Sequence, residues 1–126
     1  YETDKMGVVH HSNYIRFLEE ARMEWLEKAN VSMRKLEENG ITIPTLEVNC
    51  KYLYHVTSED LIIIEPYITE YNGVRINVGY NVIDEKTGRK VIEANTKHCF
   101  TDKNLRPINM KKRDKEINEI FENLKK

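Results

Sequence analysis

The hydrophobic period of this chain changes once, and that change restricts its fold. From Asn13 to Ala29 the apolar residues Tyr14, Phe17, Leu18, Ala21, Trp25 and Ala29 recur at steps of three and four. Such spacing makes one stripe along a helix, widened on one side by Ile15 and Leu26. Ser12 or Asn13 is expected to cap its start and Asn30 to stop it. "SMRKLEENG" (32–40) reads as a shorter helix ended by Gly40.

Beyond Gly40 the period is two. In "TLEVNCKYLYHV", Leu46, Val48, Cys50, Tyr52 and Tyr54 share one face, and Glu47, Asn49 and Lys51 the other. "DLIIIEPYITEY" (60–71) is a second strand, whose Pro66 implies a sheet edge or a bulge. "VRINVGYNVID" (74–84) alternates cleanly, and "KVIEANTKHCFT" (90–101) follows the turn "EKTGR". Short turns at Thr57–Glu59, Asn72–Gly73 and Thr87–Gly88 predict that these strands form an antiparallel meander. Ile117, Ile120, Phe121 and Leu124 predict a small amphipathic C-terminal helix. The expected fold class is α+β, a long antiparallel sheet wrapped around one central helix.

The 126 residues are expected to form a single domain. A net charge of −1 gives no electrostatic reason to expect nucleic acid or an anionic membrane as partner. The longest aliphatic run, "LIII" at 61–64, is too short for membrane insertion, and no charged-then-apolar leader opens the chain. Cys50 and Cys99 lack a close-spaced partner, so they are expected to be reduced, buried and cytoplasmic. The chain opens on Tyr1, directly into its most distinctive segment, and a further strand is expected upstream, leaving the domain truncated at its N-terminus.

That segment is "YETDKMGVVHHSNY", at the entrance of the long helix. Taken singly, Asp4 and Gly7 have the spacing of an ordinary turn. His10 and His11 cannot both face one way, and no ligand set for a metal accompanies them. His55 and His98 read as satisfied strand residues. No Gly-x-Ser-x-Gly elbow or Gly-rich phosphate loop is present.

Taken together, "Y-E-T-D-x-M-G-V-V-x-H-x-N-Y" running into "F-L-E-E-A-R" (17–22) resembles the hotdog-fold acyl-CoA thioesterases of the 4-hydroxybenzoyl-CoA thioesterase family, in particular the YbgC-like branch. The order of helix, strands and C-terminal helix is similar as well. The resemblance implies hydrolysis of an acyl-CoA to a free acid and coenzyme A, with no cofactor and no metal. It implies that Asp4 is the catalytic carboxylate and His11 a second catalytic group. It further implies that Gly7, Val9, His10, Ser12, Asn13 and Tyr14 lie along the substrate, although relatives often carry an aromatic residue where His10 stands. A homodimer joined through its sheets, or a tetramer of such dimers, is implied too. Glu20 and Arg22 match the helix motif, with an ion pair or hydrogen bonds in the helix layer as their expected role.

The chemistry suits the segment. Thioester hydrolysis puts negative charge on the carbonyl oxygen, and free N–H groups at a helix start stabilise such an oxyanion. A carboxylate on the preceding loop either activates water or attacks directly, and the sequence leaves both routes open. The thiolate leaves readily, so His11 should be secondary. Two other readings use the same residues: a non-catalytic acyl-CoA binding or sensor module, and a hotdog hydratase or dehydratase.

Overall fold

The computed structural model describes residues 11–54 and 61–125, with side chains from Tyr14 onward. Helix α1 (His11–Lys28) carries the expected stripe: Tyr14, Leu18, Ala21 and Leu26 are buried, with Phe17 and Trp25 packed beside them. It starts at His11, so Ser12 and Asn13 lie within its first turn and not at the cap position foreseen for them. Asn30 ends it in the left-handed region (φ 67°). There the Val31 and Asn30 N–H groups close back onto the Leu26 and Glu27 carbonyls, a Schellman arrangement. Helix α2 (Met33–Glu38) is capped by the Ser32 hydroxyl and followed by Gly40 at φ 76°.

The main sheet contains β2 (Thr45–Tyr52), β3 (Ile62–Tyr71), β4 (Arg75–Asp84) and β5 (Lys90–Cys99) in the order β2-β5-β4-β3. All its pairings are antiparallel. The meander expected across all four strands therefore holds only for β3, β4 and β5. Strand β2 pairs with β5 and does not form a hairpin with β3. Alternation in sequence reveals that a strand exists but carries no information about its neighbour. Pro66 lies within β3, which pairs only with β4 among the described residues, and an edge strand tolerates the missing N–H. The bulge of that strand falls between Ile68 and Glu70, beyond the proline.

Rows of side chains cross the inner face. Val48, Thr96, Val78 and Ile68 form one row, and Tyr52, Ile92, Val82 and Ile64 another. The stripe of α1 covers this face, and the two make one continuous core. A small second sheet pairs β1 (Ile41–Thr42) with β6 (Thr101–Asp102). Helices α3 (Met110–Arg113) and α4 (Lys115–Leu124) close the far end. There Phe121 meets Tyr71 and Phe100 at ring separations of 5.2 and 5.5 Å. Burial pushes the Tyr71 phenol up to about 12.

Strand β2 departs from the expected burial. Of its apolar set only Val48 and Cys50 are half-buried, while Leu46 (55% exposed) and Tyr52 (45%) stay largely exposed. Leu53 and Tyr54 just beyond it are also exposed. Among the described residues β2 has a neighbour on one side only, so this apolar strip borders an unpaired edge. Both cysteines are free and half-buried, which corrects the expectation of full burial.

Candidate active site

The helix entrance is built by α1 itself. The backbone N–H groups of a helix's first turn point along its axis toward the N-terminal end, and among the described residues that turn of α1 begins at His11. No acidic residue occupies the first turn, so nothing in that turn neutralises the positive end of the helix dipole. Asp4, Gly7, Val9 and His10 lie outside the described residues, as do the side chains of His11, Ser12 and Asn13. Tyr14 is described: it is 3% exposed and meets Tyr52 of β2 edge-on at 5.5 Å. That contact ties the first turn of α1 to the open edge of the sheet.

A groove of about 180 Å³ lies between α1 and the strands β2 and β5. Ile15, Glu19 and Arg22 line its helix wall, and Thr45, Val48 and Thr96 its sheet wall. The helix residues follow i, i+4, i+7 spacing, which places them on one face. Ile15 stands about 6 Å along the axis from His11, at 1.5 Å per residue.

Beneath the groove, a chain of polar side chains crosses the core. Arg22 Nη1 donates to Tyr80 Oη at 3.1 Å. The Tyr80 and Thr96 hydroxyls are 2.7 Å apart, and Thr96 Oγ1 is 2.7 Å from His98 Nε2. His98 Nδ1 faces the Pro44 carbonyl and, at 3.3 Å, the Thr45 hydroxyl. Only one polarity satisfies every member. Arginine must donate, so Tyr80 donates to Thr96, Thr96 donates to Nε2, and the neutral ring donates from Nδ1 to Pro44.

His98 is fully buried, and desolvation, aided by the Arg22 charge, lowers its pKa to about 4. It is thus the satisfied strand histidine that its position implied. His55 lies outside the described residues. Glu20 pairs weakly with Arg16 at 3.9 Å within the helix. Arg22 leaves the helix layer and reaches the sheet. The sequence carried a signal for this network, because Thr96 and His98 continue the inward-facing set of Ile92 and Ala94 with polar groups.

A pH effect follows. Because the His98 pKa falls on folding from 6.5 to about 4, protonation favours the unfolded chain. Its contribution is complete above pH 6.5 and declines as the pH falls toward 4, by about 3 kcal/mol in all. Urea midpoints at neutral pH and near pH 4.5 should show this decline in the wild type and a smaller one in His98→Gln. Equal declines would remove His98 as its source.

The profile of the thioesterase-like superfamily matches residues 1–122. A putative esterase of Aquifex aeolicus is 35% identical over 100 residues, spanning 79% of this chain and 77% of its own. A putative acyl-CoA thioesterase, YneP of Bacillus subtilis, is 27% identical over 126 residues, spanning 99% of this chain and 91% of its own. Among solved structures, the DHNA-CoA thioesterase of Staphylococcus aureus superimposes with a TM-score of 0.86 at 24% identity, covering 96% of this chain and 81% of that one. The helix laid on an antiparallel sheet is the hotdog arrangement, and this chain belongs to the thioesterase-like superfamily as a hotdog-fold thioester hydrolase.

Proposed function

We propose that the protein hydrolyses an acyl-CoA at the entrance of α1, releasing a carboxylic acid and coenzyme A. The observation that carries this reading is the start of α1 itself, whose first turn holds no acidic residue to offset the positive end of the helix dipole, beside a groove walled by Ile15, Glu19 and Arg22 on the helix and Thr45, Val48 and Thr96 on the sheet. Asp4, seven residues before His11, acts as general base or as nucleophile, and His11 assists the departing thiol. Gly7, Val9, His10, Ser12, Asn13 and Tyr14 lie along the substrate. The residues present supply a carboxylate and an oxyanion site, so water attack proceeds with protein groups alone.

The working unit is a homodimer. Support comes from the open edge of β2 and its strip of Leu46, Tyr52, Leu53 and Tyr54, a template for pairing with a second copy. Tyr14 on Tyr52 connects that edge to the site, so each site lies near the subunit boundary. No helix among the described residues is long and apolar enough to cross a membrane, and the two free cysteines suit a reducing, cytoplasmic setting.

Incubation with a panel of acyl-CoAs and a thiol-trapping dye tests the activity. Thiol release from at least one substrate should persist in the presence of a chelator. Loss of release on chelation, with recovery on adding zinc, would refute the metal-free mechanism.

A further inference from the structure

Among the described residues Arg22 is the one cation on the groove wall, and it also lines a second space deeper in the molecule. That inner cavity lies among Trp25, Leu26, Met33, Ile76 and Phe121, and is narrow, with room for about one water molecule. Arg22 therefore stands between a groove whose helix wall begins at Ile15 and a mainly apolar cavity that is almost filled. Its guanidinium is half-buried and is held by the Tyr80 hydroxyl at 3.1 Å. Tyr80 is itself fixed by Thr96 and His98. A guanidinium has five N–H donors, and the bond to Tyr80 uses one of them. Glu19, Thr45 and Thr96 line the same groove.

We propose that Arg22 is a specificity-determining residue, selecting acyl groups that carry a hydrogen-bond acceptor at their far end and excluding hydrocarbon chains long enough to reach it. The inference rests on the reading of the helix entrance as the hydrolytic site. The Cα of Arg22 lies about 16 Å along the helix axis from His11, and helical side chains lean back toward the N-terminus. An acyl group running down the groove from the entrance thus meets the guanidinium part-way along it. A terminal oxygen accepts a charge-assisted hydrogen bond there. A methyl end instead strips water from a cation and offers nothing in return. Tyr80 acts on this selection only through Arg22, as a positioning residue.

The test is kcat/KM for straight-chain acyl-CoAs from short to long, each paired with its counterpart bearing a terminal hydroxyl. In the wild type, one length should favour the hydroxylated member by about tenfold or more, the worth of a hydrogen bond to a charged group. Arg22→Met keeps the stem without the charge and should abolish that preference. Arg22→Ala also opens the inner cavity and should move the best saturated chain to a greater length. Arg22→Lys should retain a weaker preference, and melting temperatures report whether each variant is folded. Equal rates for both members of every pair in the wild type would overturn the inference without any variant. An intact preference in folded Arg22→Met would do the same. Absence of thiol release from every substrate would instead refute the hydrolytic reading on which it rests.

Discussion

Asp4→Asn and Asp4→Ala should each lower kcat by about a hundredfold or more, the usual contribution of a positioned base. Asparagine keeps the size and much of the turn-forming capacity of aspartate, so what it removes is the basic and nucleophilic oxygen. His11→Ala should cost less. The leaving thiolate needs little protonation, and the backbone N–H at the helix start survives the substitution. The unequal losses carry the information. Damage to a shared turn would lower the melting temperature of Asp4 and His11 variants alike, whereas loss of chemistry leaves it unchanged. Single-turnover rates and melting curves separate the two. Near-normal turnover in folded Asp4→Ala would remove that carboxylate from the mechanism and direct attention to Glu20 on α1.

The second large effect concerns the edge of β2. Leu46 is 55% exposed and Leu53 37% exposed in the single chain, so glutamate at both positions should leave the fold intact. In a homodimer paired through this edge, the same substitutions bury like charges beside each other. The dimer dissociation constant should rise at least about a hundredfold, in line with losing two central apolar contacts. Light scattering should then report the 15.0 kDa chain alone where the wild type gives twice that mass. Activity should fall with it, because Tyr52 of the same strand supports the first turn of α1. A double variant that remains dimeric would exclude this edge as the interface, and a fully active monomer would exclude a site that depends on it.

Periodicity made the elements legible, and it did so because burial acts locally. The stripe of α1, the alternation of β4 and the caps at Asn30 and Ser32 all reflect forces set within a few residues. Strand neighbours are a different matter. The pairing of β2 with β5 joins residues such as Cys50 and Ala94, and the choice between β3 and β5 depends on where the whole sheet lies. The exposure of Leu46 and Tyr52 has the same origin, since alternation implies an apolar face but not that something covers it.

The site divides along a similar line. The segment from Asp4 to Tyr14 attracts attention because unusual residues are crowded into one short stretch. Arg22 hides in an ordinary helical pattern. Its hydrogen-bond partner Tyr80 is 58 residues away, and only the folded sheet brings them together. Thr96 and His98 gave a local hint, being polar residues on an inward-facing row, but their role emerges only from the chain of hydrogen bonds that ends on Arg22.

Mass spectrometry of the products formed in heavy-oxygen water tests the central claim most directly. Hydrolysis at the entrance of α1 predicts a free acid carrying the heavy oxygen in its carboxyl group, together with an equal amount of free coenzyme A thiol. An acyl-CoA recovered intact would mean a binding module, and one recovered with water added to its acyl chain would mean a hydratase. Either result would contradict thioester hydrolysis by this protein.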